Sequence, residues 1–172
     1  MERRIGEAIM REIRRDPAYL DEPEVTAYLN QLGAKLVAAS ADAHQGFEFF
    51  VVSDNTLNAF AMPGGYIGVH TGLILAAQSE SELASVLAHE IAHVTQRHLA
   101  RLLSKSSQNN LISIASLVIA VLAARSNPQI SQAALMTGSA ATVQAQINYT
   151  REFEREADRV GIQVLEDANY DV

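Results

Sequence analysis

Cysteine and tryptophan are absent from this chain of 172 residues, and aromatic residues make up only 6% of it. Without cysteine the chain can have no disulfide framework, no thiolate metal site and no cysteine nucleophile. The scarcity of aromatic side chains argues against a stacking platform for single-stranded nucleic acid. Basic residues are outnumbered, 13 Lys and Arg against 20 Asp and Glu, which gives a formal net charge of -7. The composition therefore excludes the basic face that a nucleic-acid module needs.

The remaining composition is that of a folded domain. Hydrophobic residues make up 48% of the chain and charged residues 19%, which is enough apolar material for a core. We predict a single domain over residues 1–172, because this length is typical of one domain. The first 16 residues (MERRIGEAIMREIRRD) lack the uninterrupted apolar centre of a secretory signal. The sequence thus leaves open a cytoplasmic protein or one whose signal has been removed.

Apolar periodicity and turn residues predict an α+β fold that is mainly helical. Strands are expected where short aromatic and β-branched runs are bounded by Asp-Asn and Pro-Gly-Gly turns, and they should form a small antiparallel sheet. Ser79 with Glu82 fits a capping box at the start of a helix. The predicted helices cover 1–16, about 22–39, 79 to about 103, and roughly 129–165, and the predicted strands cover 46–53, 57–62 and 66–70.

One long stretch is nearly free of charge. Between Ser106 and Thr150 the only charged residue is Arg125, and Leu111–Ala124 is apolar or small throughout. This run of 14 residues is short of the roughly 20 that a membrane-spanning helix needs. We expect a buried or lid-like helical pair over an active site, with contact to a membrane surface as the alternative.

The strongest motif is HEIAH, His89 to His93, inside the capped helix. Residues four apart lie about 40° apart around a helix, so both imidazoles project from one face and can bind a single Zn2+. Glu90 is rotated about 100° from His89, where it can contact water beside the metal as a general base. The alternative is a helix face that binds no metal, with two solvated histidines and a Glu that forms a salt bridge.

A catalytic zinc needs a third protein ligand and one open position. Gln96 and Leu99 stand where a metzincin would need Gly and His. His98 lies roughly 140–180° around a continuous helix from the other two imidazoles, so we interpret it as a partly buried or surface histidine with no part in the metal site.

The remaining source of a third ligand is the acidic segment Glu152–Asp158. Glu154 and Asp158 form one pair four residues apart, and Glu152 and Glu156 form a competing pair. One member of a pair could bind the metal while the other accepts the spare N–H of a ligand histidine. Spacing alone does not choose between the two pairs, and a solvated charged face is the third possibility.

Three ordered motifs carry a family resemblance: NAFAMPGGYIGVHTGL, HEIAHVTQRH and EREADRVG. Together they resemble the HtpX-like and CAAX-prenyl-protease-like zinc metallopeptidases, a gluzincin-type group. The likeness runs from about Tyr28 to the end of the chain. It is greatest for the bacterial periplasmic branch of beta-barrel assembly-enhancing proteases.

The resemblance implies a role for each matching residue. It implies that His89, His93 and Glu154 bind one zinc per chain, that Glu90 is the catalytic base, and that Asp158 orients a ligand histidine. It further implies that substrate peptide adds antiparallel to a sheet edge near five consecutive residues: Asn58, Ala59, Phe60, Ala61 and Met62. Members of the family continue beyond a point matching Val172, so we expect this chain to be shorter at its C-terminal end. Tyr149 and Arg155 are then candidate replacements for a transition-state-stabilising residue from downstream.

The function that follows is a zinc-dependent endopeptidase acting on unfolded or misassembled envelope proteins, by Glu-assisted attack of water that the zinc activates. The expected location is periplasmic, with a cytoplasmic or membrane-associated location as the alternative. The expected partners are protein substrates, and contact with a membrane surface or an assembly machinery is also possible on this interpretation. The rival function is a non-catalytic, chaperone-like module that binds the same clients in the same groove.

Overall fold

A computed structural model of the chain describes residues 2–42, 46–104 and 140–172, and all of their side chains except those of 102–104 and 140–150. The predicted α+β, mainly helical fold is confirmed. The six helices of the described residues are α1 (Glu2–Ile13), α2 (Pro23–Ala39), α3 (Thr71–Ala76), α4 (Glu80–Thr95), α5 (His98–Ser104) and α6 (Ala140–Asp167). The four strands are β1 (Tyr19–Leu20), β2 (Glu48–Val52), β3 (Ala59–Met62) and β4 (Tyr66–His70).

The sheet is mixed rather than antiparallel, so the prediction of an antiparallel sheet was wrong in one pairing. Its strand order is β1-β2-β4-β3, with β2 and β4 parallel and the other two pairs antiparallel. The β3–β4 hairpin turns at Gly64 and Gly65, both at φ +85°, a conformation that glycine adopts without strain. All five residues of β4 are buried, whereas the middle of β3 is only half-buried. The more buried strand, β4, lies at the centre beside β2, and β3 lies at the edge.

Alternate residues of the central strands belong to two hydrophobic clusters, one on each face of the sheet. On one face, Phe49, Val51 and Ile67 pack with apolar side chains of α2, α4 and α6. On the other face, Phe50 and Tyr66 pack with Met10 of α1. The larger cluster fixes α4 and α6 against the sheet, and these two helices carry the HEIAH and EREAD motifs.

The helix that carries HEIAH begins as the sequence predicts. Ser79 Oγ accepts a hydrogen bond from the backbone N–H of Glu82, at 3.2 Å, and the Glu82 carboxylate accepts one from the N–H of Gln78, at 2.8 Å. The first bond satisfies an N–H group that a helix start leaves without an intrahelical partner, and the second holds the residue before the N-cap against the first turn.

This helix ends earlier than predicted. It stops at Thr95, Arg97 takes a left-handed conformation at φ 55°, and α5 starts a new direction at His98. The prediction of one helix to about residue 103 was therefore wrong. A non-glycine residue in this conformation is uncommon, so the residue types around Arg97 gave no sign of the break.

Several predictions fall partly or wholly outside the described residues. The lid-like segment lies there from residue 105 to 139, as do the first part of the predicted last helix and His44. The side chain of Tyr149 is likewise not described, and that of Arg155 is exposed. Within the described ranges, no helix combines the length and the apolar character needed to cross a bilayer.

A network of tyrosine hydroxyl hydrogen bonds connects the C-terminal end of α6 with the start of α4. Tyr170 and Tyr28 each donate a hydrogen bond to the Glu80 carboxylate, at 2.9 and 3.2 Å. Lys35 Nζ lies 3.9 Å from the centre of the Tyr170 ring, a cation–π contact. The same end of α6 turns at Asn169, at φ 59°, and the Asp171 N–H donates to Ser81 Oγ. These contacts set how α6 lies along α4.

This network predicts a specific alkaline transition. Burial, together with the hydrogen bond to Glu80, raises the pKa of Tyr170 to about 12. Because the pKa in the unfolded chain is lower, about 10, the stabilisation is complete below pH 10 and is lost as the pH rises toward 12. We expect the Tyr170→Phe variant to lose less stability than the parent between these pH values, in denaturant titrations at each pH. Equal losses would contradict this role for the phenol.

Candidate metal centre

Three side chains from two helices converge where α4 packs against α6. His89 Nε2 lies 3.0 Å from His93 Nε2 and 3.4 Å from Glu154 Oε2, and His93 Nε2 lies 3.7 Å from Glu154 Oε1. All three residues are partly buried, and one ligand atom from each lies within 4.8 Å of the others. In a tetrahedral zinc site with bonds of about 2.0–2.1 Å, ligand atoms lie about 3.4 Å apart. The donor set and its spacing therefore fit a single zinc ion.

The outward-facing nitrogen of each imidazole also has a partner. His89 Nδ1 lies 2.9 Å from Asp158 Oδ1, and His93 Nδ1 lies 3.0 Å from His98 Nδ1. Such partners fix the tautomer and the ring orientation of a metal-binding histidine. Both imidazoles thus turn Nε2 toward Glu154.

The acidic surroundings act on the charge of the cluster. The hydrogen bond to Glu154 is the largest cause that raises the pKa of His89 above its usual value; burial opposes it, and the charges of Glu90 and Asp158 add to it. The same carboxylates that stabilise an imidazolium would stabilise a bound cation.

The two acidic pairs of α6 have different surroundings. Glu154 and Asp158 both contact His89, whereas Glu156 Oε2 lies 3.1 Å from His98 Nε2 and 2.7 Å from Arg101 Nη1. Glu152 is exposed. The choice that spacing left open is therefore made by tertiary packing, which brings the first pair to the two histidines of HEIAH.

The predicted position of His98 was wrong. On a continuous helix it would point away from His93, but the break at Arg97 brings the two rings together, with centroids 4.9 Å apart. His98 is 3% exposed, so it is neither partly buried nor at the surface as predicted, and it lies beside His93 rather than away from it. Burial lowers the pKa of His98, against the hydrogen bond to Glu156.

Glu90 and the edge strand meet in one cleft. A cavity of about 550 Å³ is lined by Asn58 and Ala59 at the start of β3, by His89 and Glu90 of α4, and by Asp158 of α6, among others. Glu90 is only 6% exposed. Among the described strands, β3 pairs with β4 alone, so its other edge carries no strand partner.

The rest of the predicted substrate strand is placed differently. Phe60 packs edge-on against Phe50 and His70, and Met62 is buried in the cluster under α1. Ala61 is half-buried and contacts the larger cluster. Of the five residues predicted to bind peptide, Asn58 and Ala59 line the cleft, and the other three do not.

Close packing of the two helices depends on one glycine. A Cβ atom on Gly161 would lie 3.2–3.3 Å from backbone atoms of Ala88 and His89. We expect Gly161→Val to push α6 away from α4, lowering the free energy of unfolding by about 1–3 kcal/mol and weakening metal binding. Denaturant unfolding and zinc titration would measure both effects. Gln163→Val, at an exposed position of the same helix, controls for helix propensity, and equal losses in the two variants would contradict the packing argument.

Comparison with known proteins identifies the family of the chain. Residues 23–172 match the model of peptidase family M48. The chain therefore belongs to peptidase family M48.

Particular relatives narrow the likeness. The chain is 47% identical to the putative beta-barrel assembly-enhancing protease of Vibrio cholerae, over 96% of this chain and 34% of that protein. It is 38% identical to the beta-barrel assembly-enhancing protease of Escherichia coli strain K12, over 99% of this chain and 35% of that protein. A mitochondrial metalloendopeptidase OMA1 of Schizosaccharomyces pombe is 32% identical over 85% of this chain and 40% of its own length. The chain thus spans about a third of the bacterial relatives' length.

Proposed function

We propose that this chain is the catalytic domain of a zinc-dependent endopeptidase that cleaves unfolded or misassembled proteins. The observation that carries the proposal is the convergence of His89, His93 and Glu154 beside the buried Glu90, in a cleft that reaches the edge strand.

His89, His93 and Glu154 would hold the zinc, through two imidazole nitrogens and one carboxylate. When bound, zinc supplies Lewis-acid polarisation of the scissile carbonyl and makes a nearby water more acidic. Asp158 accepts a hydrogen bond from the Nδ1–H of His89 and so keeps Nε2 of that ring available as a ligand. This set contains nitrogen and oxygen donors only, as a chain without cysteine requires.

Glu90 acts as the general base in this proposal. Its carboxylate takes a proton from the attacking water and later gives it to the nitrogen of the leaving amine. Burial in the cleft beside His89 places that carboxylate where bulk water is limited and where the scissile bond of a bound peptide would lie. Proton transfer of this kind contributes about 100- to 10,000-fold to a rate.

The edge of β3 would hold the substrate. An extended peptide can add to an unpaired strand edge through main-chain hydrogen bonds, which accept many different sequences. Asn58 and Ala59 begin this edge and line the same cleft as Glu90, so a peptide on β3 would pass the catalytic carboxylate. An unfolded segment presents its backbone in this extended form readily, which supports an unfolded or misassembled client.

The proposed setting is the bacterial envelope. Two relatives are named for enhancing beta-barrel assembly, and closed β-barrels are the spanning structures of outer membranes. We therefore propose a periplasmic location, misassembled envelope proteins as substrates, and contact with the assembly machinery or a membrane surface. These proposals rest on the relatives' names and on their similarity to this chain.

The testing experiment uses the purified chain with a casein-like unfolded protein and with a folded protein of similar size. We expect cleavage of the unfolded protein alone, loss of cleavage after treatment with a chelator, and recovery when zinc is added back. Capture of the unfolded protein without cleavage, at one zinc per chain, would instead identify a chaperone-like binding module. Cleavage that survives complete removal of metal would contradict the proposal.

A further inference from the structure

A hydrogen-bonded series of four polar side chains begins at His93, on the side of its ring opposite Nε2. His93 Nδ1 lies 3.0 Å from His98 Nδ1, and His98 Nε2 lies 3.1 Å from Glu156 Oε2. That carboxylate oxygen also accepts a hydrogen bond from Arg101 Nη1, at 2.7 Å. This series joins three helices, because α4 supplies His93, α5 supplies His98 and Arg101, and α6 supplies Glu156.

Local structure holds His98 in this hydrogen-bonded series. The left-handed backbone at Arg97 turns α5 back toward α4, and His98 is 3% exposed at the start of the new helix. Its ring stacks on Phe153 of α6, with centroids 4.3 Å apart and planes 10° apart. The guanidinium carbon of Arg101 lies 4.7 Å from the centre of the same Phe153 ring. The imidazole is therefore fixed in orientation by contacts that do not involve its nitrogens.

The positions of the protons follow from the hydrogen-bond partners. A neutral imidazole that binds a metal through Nε2 carries its proton on Nδ1, so His93 is the donor in the contact between the two rings. His98 must then accept at Nδ1 and carry its own proton on Nε2. That Nε2–H faces Glu156, which can only accept when ionised, and the Arg101 guanidinium holds Glu156 in that state. Each donor in the series from His93 to Arg101 therefore meets an acceptor.

We propose that His98 and Glu156 are positioning residues for the metal ligand His93, and that they fix it in the tautomer that leaves Nε2 for the zinc. This inference rests on the proposed zinc site. It makes the two histidine ligands unequal: Asp158 supports His89 directly from a side chain that is 66% exposed, whereas a buried imidazole stands between His93 and its carboxylate. The second arrangement ties the metal site to the orientation of α5.

Zinc affinity of the whole chain, measured by competition with a chromogenic chelator, tests the proposal. His98→Phe keeps an aromatic ring on Phe153 and removes both nitrogens, and we expect it to weaken zinc binding about 10- to 100-fold. His98→Asn places an amide oxygen near the position of Nδ1, and we expect it to recover most of that loss. Glu156→Gln should weaken binding to a smaller extent, while Glu152→Gln, the same change at an exposed position one turn earlier, should leave it unchanged.

A second readout does not depend on any variant. In the zinc-loaded parent protein, nitrogen NMR of the imidazoles should show His98 neutral, with its proton on Nε2 and none on Nδ1. A proton on His98 Nδ1, or equal zinc affinity in His98→Phe and the parent, would overturn the positioning role. A parent chain that binds no zinc would instead overturn the proposed function itself, so the two failures are distinguishable.

Discussion

Replacing Glu90 with Gln is expected to lower kcat for an unfolded substrate by about 100- to 10,000-fold, because the amide cannot accept the proton of the attacking water. The amide has nearly the same shape as the carboxylate, so the buried position beside His89 should remain filled. Zinc content and the stability of the fold should stay near those of the parent, since Glu90 is not one of the three converging ligands. The measurement is the rate of casein-like substrate cleavage together with metal analysis of the same sample.

A matched control is Glu166→Gln, which makes the same change at an exposed position of α6. It should cleave at the parental rate. If Glu90→Gln cleaved as fast as the control with one zinc bound, Glu90 would not be the base. A loss of activity accompanied by loss of zinc would assign Glu90 to metal binding instead, which also contradicts the proposed role.

Removing one metal ligand is expected to have an equally large effect by a different route. We expect His93→Ala to reduce bound zinc from about one per chain to near zero at micromolar zinc, because two of the three protein ligands cannot hold a catalytic ion. Cleavage should fall with the metal. Since structural stabilisation by a ligand follows its binding, zinc should raise the Tm of the parent and leave that of the variant unchanged.

His70→Asn is the control for losing an imidazole. His70 lies at the end of β4, where its Nδ1 contacts Thr56 Oγ1 at 2.7 Å, and the Asn amide can replace that contact. This variant should keep one zinc per chain and the rise in Tm. Retention of full zinc binding by His93→Ala would show that the ion is held elsewhere.

Local patterns predicted the elements that carry the site. The capping residues Ser79 and Glu82 and the spacing of HEIAH each involve neighbours within one or two turns, so they can be seen in the sequence. The same holds for the three longer strands, which end within a few residues of their predicted positions. The strand β1 has two residues, too few for a periodic pattern, and it was not predicted.

Other features depend on contacts between distant parts of the chain. The parallel pairing of β2 with β4 follows from which strand is most buried, and neighbouring turns do not encode that order. Both acidic pairs of α6 have suitable spacing, and packing against α4 and α5 decides that Glu154 meets His93 while Glu156 meets His98. His98 was misplaced because the helix breaks at Arg97 without a glycine or proline to mark it.

The most direct test of the account is a crystal structure of the zinc-loaded chain with anomalous scattering measured at the zinc edge. We predict one strong anomalous peak per chain, about 2.0–2.2 Å from His89 Nε2, His93 Nε2 and a Glu154 oxygen, with Glu90 beside it and outside the ligand set. A peak bound instead by Glu156 and His98, or no peak between α4 and α6 at one zinc per chain, would contradict it.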